Sequence, residues 1–320
     1  MPLSLRGGDD LADVARAIGK ISRRLGRAGL ADFSGPEPMR AAVEVFIHAA
    51  AGRRVPAPAK AALEMALLDL AGKASARPVW SLLGATAVEP VRCNATLAAD
   101  TPGEVAAEAR RWADRGFTTF KLKLGAGEDV AQVRAVRDAL GPQARIRVDA
   151  NASWSVDEAL GVLRLIEPLD VELVEQPVAG LRELAQVAAG TSLAIAADES
   201  VTSAKEAGRA VRAGACAMAT VKLAKVGGIG EANGIAAELP IYLSSALDGP
   251  LGIAAAAHAA QALRFEGAAA GLAHGLATQL LFSDTVATRE SRLDGDLLMP
   301  PEGPGLGVEL DEDALERLRI

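Results

Sequence analysis

The stretch FTTFKLKLG, which runs from Phe117 to Gly125, decides the fold of this chain. Two lysines, Lys121 and Lys123, lie within it with one leucine between them. Side chains on a strand alternate between its two faces, so both ammonium groups lie on the same face. A solvated edge strand is the commoner setting for such a pair, but here apolar residues flank both lysines. The stretch therefore predicts a buried strand whose two lysines serve a function.

Similar β-prone runs recur beyond Val88, and helical stretches separate them. The runs are Val91–Leu97, Phe117–Leu124, Arg145–Asp149, Val171–Val174, Leu193–Ala197, Ala217–Leu223, Pro240–Ser244 and a weaker one near Gly271–Gly275. Repeated strand–helix units predict a parallel α/β sheet, either closed into a (β/α)8 barrel of the TIM type or open and doubly wound. No GxGxxG follows the first strand, which disfavours an open dinucleotide-binding sheet.

Polar residues follow the carboxyl ends of consecutive predicted strands. They are Lys121 and Lys123, Asp149 and Asn151, Glu175, Asp198 and Glu199, Lys222, and Ser244 and Ser245. In an open sheet these residues would be spread along an edge. In a closed parallel barrel all carboxyl ends gather at one mouth, where active sites are found. The pattern therefore favours the barrel, with its site at the mouth.

Three acidic residues in this series, Asp149, Glu175 and Asp198, are separated by 26 and 23 residues. Each one taken alone could simply cap the helix that follows it. Three carboxylates that converge on one small space repel each other, however, and need a cation to stay ionised. Hard oxygen ligands in this number predict a Mg²⁺ site, with Mn²⁺ as the substitute.

The lysines predict the chemistry of such a site. Two close ammonium groups in a partly buried place lower the pKa of an amine toward the range of a general base. Lys222 comes from a strand across the barrel from Lys123, so a substrate can lie between them. A cation on a substrate carboxylate and a lysine beside it together favour removal of the proton next to that carboxylate.

The composition indicates which classes of ligand the protein binds and where it is located. Half of the residues (50%) are apolar, and the net charge is −7 with no basic block, which argues against nucleic acid. A small anionic carboxylate is the predicted substrate, and the oligomeric state stays open. The chain has only two cysteines, no apolar signal core and no run of membrane-spanning length. These features predict a cytoplasmic protein that does not enter the membrane.

An ordered set of motifs resembles the enolase superfamily and, within it, the muconate-lactonizing subgroup. The motifs are FKLKLG (120–125), VDAN (148–151), VEQP (174–177), ADES (197–200) and VKLAKVGGI (221–229). The roles implied by the resemblance are Mg²⁺ binding by Asp149, Glu175 and Asp198, catalysis by Lys123 and Lys222 with support from Lys121, and hydrogen bonding around the metal ligands by Asn151 and Glu199.

Several reactions share this arrangement in the subgroup: o-succinylbenzoate synthesis, dipeptide epimerisation, N-acylamino-acid racemisation and muconate cycloisomerisation. Three segments resemble the o-succinylbenzoate synthases in particular, and they imply substrate contacts by Asn94 (NATL), Ser244 and Ser245 (SSALD) and His274 (HGLAT). The acidic DxD that dipeptide epimerases carry around the eighth strand is missing near His274. The resemblance therefore implies a hydro-lyase of menaquinone biosynthesis, which dehydrates a cyclohexadiene carboxylate to o-succinylbenzoate through an enediolate.

The resemblance also implies a capping domain over residues 1–88, completed by 295–320, and a catalytic barrel over 89–294. The capping domain of the family normally begins with antiparallel strands and a mobile loop that covers the site, which this sequence does not match. We expect either a start assigned too late or a true loss of the lid, which would let water into the mouth. A lidless barrel kept as a non-catalytic scaffold is the remaining alternative, and the intact set of acids and lysines argues against it.

Overall fold

Helices alternate with parallel strands along most of the chain, as the spacing of the β-prone runs predicts. The computed structural model describes residues 10–28, 37, 55–99, 101–263, 265 and 267–318. The strands are β1 (Val91–Arg92), β2 (Ala95–Leu97), β3 (Thr119–Lys123), β4 (Arg145–Asp149), β5 (Val171–Glu175), β6 (Ile195–Ala197), β7 (Met218–Val221), β8 (Ile241–Leu243), β9 (Ala287–Arg289), β10 (Arg292–Asp294), β11 (Leu297–Met299) and β12 (Glu309–Leu310).

Most of the helices follow barrel strands, and the first three precede the barrel. They are α1 (Leu11–Ala28), α2 (Ala57–Ala74), α3 (Val79–Leu82), α4 (Pro102–Asp114), α5 (Asp129–Leu140), α6 (Val156–Ile166), α7 (Leu181–Ala189), α8 (Ala204–Ala213), α9 (Leu223–Val226), α10 (Ile229–Ala236), α11 (Pro250–Ala260) and α12 (Glu312–Arg317). Short 3-10 turns cover Glu167–Leu169, Gly267–Ala269 and Ala277–Leu281.

Seven parallel strands form one curled sheet in the order β2-β3-β4-β5-β6-β7-β8. The weak eighth run joins its two edges. Asn94 N, directly before β2, donates to His274 O at 2.9 Å on one side, and Gly275 N donates to Leu243 O at 2.8 Å on the other. The eighth run therefore completes the ring through single bridges instead of a regular strand. The predicted TIM-type barrel with a helical N-terminal region is confirmed.

The first predicted strand, Val91–Leu97, is divided in two. Its first part, β1, pairs antiparallel with β11 outside the barrel, and Val91 is aligned with Leu298. Its second part, β2, pairs parallel with β3 inside the barrel. The prediction of one continuous strand was wrong because two different partners, far apart in the chain, take its two ends.

Local sequence signals explain how the strands and helices are joined near the site. Thr101 and Glu104 form a capping box at the start of α4, and Ser155 and Glu158 form another at the start of α6. Gly125, two residues beyond β3, has φ +102°, and a Cβ there would collide with the Ser153 side chain. Only glycine allows this close turn directly after the lysine strand.

The C-terminal segment runs back to the N-terminal helices. Gly305 N donates to Arg77 O at 3.0 Å, and Val79 N donates to Gly305 O at 2.9 Å. Leu306 N donates to Asp69 Oδ1 on α2 at 2.9 Å. Residues 1–9, 29–36, 38–54 and 319–320 of the predicted capping domain lie outside the described residues, and the domain boundaries stay a prediction.

Candidate active site

Six charged side chains from five consecutive strands meet at the mouth of the barrel. We call them the mouth cluster: Lys121 and Lys123 of β3, Asp149 of β4, Glu175 of β5, Asp198 directly after β6 and Lys222 directly after β7. Pairing between neighbouring strands aligns Lys123 with Asp149 and Asp149 with Glu175. The parallel register thus brings together residues that are up to about a hundred positions apart in the sequence.

One half of the mouth cluster is centred on Asp149. Lys123 Nζ lies 2.5 Å from Asp149 Oδ2, and Lys121 Nζ lies 2.9 Å from the same oxygen. Lys121 Nζ also donates to both oxygens of Glu175 at 2.7 Å. Lys121 therefore joins the two carboxylates, and Asp149 joins the two lysines.

The other half is centred on Lys222. Its ammonium group donates to Asp198 Oδ2 and lies 4.0 Å from Glu175 Oε1. Glu175 Oε2 accepts a further hydrogen bond from the hydroxyl of Tyr242. The contacts therefore run without a break from Lys123 to Asp198.

The three lysines differ in their proton affinity. Burial disfavours the ammonium form of Lys121, but Asp149 and Glu175 outweigh burial and raise its pKa well above the ordinary value. At Lys222, burial alone would lower the pKa, but the charges of Asp198 and Glu175 raise it above its ordinary value. At Lys123 burial and the charge of Lys121 prevail over Asp149, and the pKa is lowered. Lys123 is thus the amine that most readily gives up its proton.

Asp149 is held ionised by the lysines of the cluster. Asp149 is fully buried, and burial alone would raise its pKa. The ammonium groups of Lys121, Lys123 and Lys222 reverse this effect and bring the pKa of Asp149 below its ordinary range. A buried carboxylate therefore persists next to the amine that is easiest to deprotonate.

Two residues predicted to surround the metal ligands lie beside the mouth cluster. Asn151 Oδ1 accepts from Lys123 Nζ at 3.0 Å, and Asn151 Nδ2 donates to Glu199 Oε1 at 3.2 Å. Asn151 N also donates to Asp149 Oδ1 at 2.9 Å. Asn151 thus orients both the lysine and the carboxylate that contact each other.

Gln176 also orients this site, although its position in the sequence alone predicted no role for it. Its Oε1 accepts from Asp198 N at 2.8 Å and from Ser200 N at 3.1 Å. Its Nε2 donates to Val178 O at 2.7 Å. The side chain therefore fixes the backbone at Asp198 to the end of β5. Its position in VEQP, directly after Glu175, was a signal that could have identified it.

The predicted serines lie at the mouth end of β8. Ser244 and Ser245 are buried, and Ser245 Oγ accepts from Asp248 N at 2.8 Å. Burial raises the pKa of the Asp248 carboxyl, and the positive charge of Lys222 partly offsets that rise. Ser244 N donates to Val221 O at 2.8 Å, directly before Lys222, so the SSALD loop begins beside Lys222. Substrate contact by the two serines stays a prediction.

Asn94 and His274 make their side-chain contacts with residues outside the mouth cluster. Asn94 Nδ2 donates to Ala95 O at 3.2 Å. The His274 ring lies 4.6 Å from that of Phe265, and its Nδ1 accepts from Leu243 N at 2.9 Å. In the described part of the chain, neither side chain makes a hydrogen bond or ion pair to the mouth cluster. Substrate contact by Asn94 and His274 stays a prediction.

The three predicted metal ligands suit Mg²⁺ as a donor set. Asp149, Glu175 and Asp198 supply only carboxylate oxygens from adjacent strand ends. With Glu199 they make four carboxylates against three ammonium groups, a surplus of one negative charge. Glu199 Oε2 is moreover buried and lacks a hydrogen-bond partner among the described residues. A cation would balance both features.

The side chains nevertheless stand in ion pairs with the lysines. Among the described residues, no three acidic, histidine or cysteine side chains are grouped closely enough to hold one metal ion. The ligand roles of Asp149, Glu175 and Asp198 therefore stay a prediction.

None of the described helices is both long and apolar enough to cross a membrane.

Family models match most of the chain. Residues 104–314 match the enolase C-terminal domain-like family, and residues 34–84 match the N-terminal domain of the mandelate racemase and muconate lactonizing enzymes. The chain belongs to the enolase superfamily, in its muconate-lactonizing subgroup. Members of the enolase superfamily use a lysine or histidine base with Mg²⁺ to form ene-diolates.

Relatives within this superfamily catalyse different reactions. The chain is 39% identical over 241 residues to an o-succinylbenzoate synthase of Thermobifida fusca, with 72% of each chain covered. It is 34% identical over 272 residues to a muconate cycloisomerase 1 of Acinetobacter baylyi, with 82% of this chain and 72% of the relative covered. A solved muconate cycloisomerase of Pseudomonas fluorescens is 28% identical at a TM-score of 0.87, over 98% of this chain and 87% of the other.

Proposed function

We propose that this superfamily member is a Mg²⁺-dependent carbon–oxygen lyase that dehydrates a hydroxylated cyclohexadiene carboxylate to o-succinylbenzoate in menaquinone biosynthesis. The observation that carries the proposal is the unequal setting of the two flanking lysines. The Lys123 side chain is 36% exposed, whereas that of Lys222 is 8% exposed. Lys123 pairs with one carboxylate, while Lys222 lies against both Asp198 and Glu175.

This inequality favours a reaction that uses one base. Epimerisation needs two amines that exchange protons on opposite faces of the substrate. Dehydration on one face needs a single amine that takes a proton and then gives it back, together with a lasting positive charge. Lys123 is the more exposed amine and pairs with one carboxylate, and Lys222 is the buried ammonium group that lies against two.

Each residue then has a defined part in the proposed reaction. Mg²⁺ held by Asp149, Glu175 and Asp198 would supply positive charge for the substrate carboxylate. Lys123 takes the proton from the carbon next to that carboxylate. As the carbon–oxygen bond to the neighbouring hydroxyl breaks, the Lys123 ammonium group returns the proton and water leaves. Lys222 stays charged and stabilises the developing negative charge and the forming aromatic ring.

The similarity of the chain to known enzymes supports this reaction, but it is also consistent with two other reactions. The o-succinylbenzoate synthase of Thermobifida fusca is 39% identical to the chain, and an L-Ala-D/L-Glu epimerase of Clostridium acetobutylicum is 36% identical over 217 residues. Muconate cycloisomerases match the chain over a larger part of its length. A dipeptide epimerase or N-acylamino-acid racemase and a muconate cycloisomerase are the competing functions.

A parallel substrate test separates these functions. The purified chain is incubated in D₂O with MgCl₂ and with the cyclohexadiene carboxylate, L-Ala-L-Glu, an N-acylamino acid or muconate. We expect an aromatic ultraviolet product from the first substrate, its loss with EDTA, and its recovery with Mg²⁺ or Mn²⁺. Deuterium in an unchanged dipeptide or N-acylamino acid would replace the lyase by an epimerase or racemase. Lactone formation would indicate a cycloisomerase, and inertness toward all four would favour a scaffold.

A further inference from the structure

The interior of the barrel below the mouth cluster contains the only tyrosine of the chain, Tyr242. It lies in the middle of β8 and is fully buried. Its ring packs in an interior layer with Leu173, Ala196 and Met218. Small residues such as Ala196 leave room for the ring near the barrel axis, so the phenol reaches the layer of charges from beneath.

The hydroxyl of Tyr242 has a defined hydrogen-bonding direction. Thr220 Oγ1 donates to Tyr242 OH at 2.7 Å. The Tyr242 hydroxyl in turn donates to Glu175 Oε2. Because Thr220 supplies the proton that the phenol oxygen accepts, the phenol proton is directed to the carboxylate. A buried hydroxyl without such partners would be costly, so this chain of bonds has one favourable arrangement.

The ring itself is held by a buried arginine. Arg147 Cζ lies 5.3 Å from the centre of the Tyr242 ring, within the range of a cation–π contact. Arg147 is held by Glu172 Oε2 at 2.5 Å and by Ala273 O at 2.6 Å. The Tyr242 ring is therefore held by Arg147, which is itself fixed by Glu172 and Ala273.

These contacts distinguish the two oxygens of Glu175. Oε2 receives the phenol of Tyr242, whereas Oε1 faces Lys222 at a distance of 4.0 Å. Lys121 donates to both oxygens at 2.7 Å and does not select between them. Tyr242 is thus the contact that determines which oxygen of Glu175 turns toward Lys222.

We infer that Tyr242 is a positioning residue for the proposed magnesium site: its hydroxyl holds Glu175 Oε2 and so fixes the orientation of a carboxylate that would bind the metal. The inference rests on the proposed role of Glu175 as a ligand. Residues that hydrogen-bond to metal ligands typically contribute 10- to 100-fold to metal affinity. Tyr242→Phe, which removes only the hydroxyl, should therefore raise the Kd for Mg²⁺ about 10-fold.

Calorimetric Mg²⁺ titration tests this expectation against a matched control. Thr119 is also fully buried within the barrel, and its hydroxyl lacks a hydrogen-bond partner among the described residues. Thr119→Val makes an equally small change inside the same barrel and should leave the Kd unchanged. Thr220→Val, which removes the donor to the phenol, should raise the Kd less than Tyr242→Phe does. A role confined to packing would lower the melting temperature of Tyr242→Phe without changing its Kd.

A spectroscopic readout follows from the single tyrosine. Fluorotyrosine in place of tyrosine labels Tyr242 alone, so the protein has one ¹⁹F resonance from this source. Saturation with MgCl₂ should shift this resonance in the wild-type chain and in Thr119→Val, and the shift should be lost in Glu175→Gln. If excess Mg²⁺ restores turnover to Tyr242→Phe, the hydroxyl acts through metal binding.

The outcomes separate this inference from the proposed reaction. Wild-type affinity in Tyr242→Phe, or a ¹⁹F resonance unmoved by saturating Mg²⁺, would overturn the positioning role while leaving the lyase reaction standing. A shifted resonance in a chain that does not dehydrate the cyclohexadiene carboxylate would reject the reaction and support the positioning role. A wild-type chain that binds no Mg²⁺ would overturn both.

Discussion

The mouth and the floor of this barrel both hold buried charges, but they hold them in different ways. At the mouth, each lysine of the cluster contacts carboxylates, and Asp149 and Glu175 each contact more than one lysine. At the floor we define a second group, the floor cluster, of Arg147, Glu172 and His274. There Arg147 binds one carboxylate, one backbone carbonyl and one ring face, and His274 accepts from a backbone amide.

The two clusters differ in whether a substrate or a metal can replace the partners of their charged groups. An ammonium–carboxylate contact at the mouth can be replaced by a substrate or a metal because other charges of the cluster remain nearby. Backbone and ring contacts at the floor belong to the folded barrel itself and have no substitute. Changes at the mouth should therefore reduce activity more than stability, and changes at the floor should do the reverse.

The largest expected effect is the loss of activity in Lys123→Ala. Removal of a general base lowers turnover by about 10²- to 10⁴-fold, and we expect about 10³-fold here. The free energy of unfolding should change little because Asp149 keeps Lys121 as a partner. Steady-state assays and urea unfolding measure the two quantities.

Lys205→Ala is the control for Lys123→Ala, because Lys205 is exposed on α8. It should leave both turnover and stability near wild type. Turnover within tenfold of wild type in Lys123→Ala would mean that another group removes the proton, and the contrast between mouth and floor would lose its main support.

The second effect is the loss of stability in Arg147→Met. The change leaves Glu172 without its buried partner and removes the contact with the Tyr242 ring. Breaking a buried ion pair costs about 3 to 5 kcal/mol, and the partial exposure of Glu172 places our expectation near 3 kcal/mol. Urea unfolding at pH 7 gives the value.

Arg145→Met removes an exposed arginine from the same strand and should change stability by no more than about 0.5 kcal/mol. Equal stabilities for the two methionine variants would show that the floor cluster contributes nothing to the fold. The contrast would then be reduced to a difference in activity alone.

The third and smallest effect is a pH dependence at His274. Burial and the nearby charge of Arg147 lower the pKa of His274 to about 3, from an ordinary value of 6.5. The folded chain keeps the ring neutral while the unfolded chain protonates it, so this stability is present above pH 6.5 and is lost as the pH falls toward 3. The loss approaches about 1.4 kcal/mol per pH unit and totals about 2 kcal/mol by pH 5.

His274→Asn sharpens this prediction, since its side-chain oxygen can still accept from Leu243 N but does not titrate in this range. We expect lower stability at pH 7 from the lost ring volume, together with a shallower decline toward pH 5. Parallel declines in the variant and the wild type would assign the pH dependence to other groups.

Much of the fold was predictable because its signals are local. The strand–helix spacing and the polar residues at strand ends indicated the barrel, and the structure confirms seven of its strands. The same spacing predicted that Lys123, Asp149 and Lys222 would gather at one mouth, and the structure brings them into one cluster. These signals repeat in every unit, so an error in one segment does not change the conclusion.

Long-range contacts limited the remaining predictions. Val91–Leu97 reads as one strand, but its first part pairs with a hairpin about two hundred residues later. The ring of His274 packs on that of Phe265, a contact that the HGLAT segment did not indicate. Tyr242 received no role because its hydroxyl partners, Thr220 and Glu175, come from two other strands. The residues next to each of these positions in the sequence do not indicate contacts with distant segments.

By itself the sequence determined the kinds of side chain available and the faces on which they lie, because strand alternation and helix caps act over a few residues. It therefore specified a barrel with lysines and carboxylates at its mouth. Only the tertiary structure decided how the three lysines differ in proton affinity and exposure. Lys121 and Lys222 remain cations and Lys123 becomes the accessible amine because burial and the nearest carboxylates differ at each one. Those differences arise from distances across the closed barrel, which exist only once the sheet has curled.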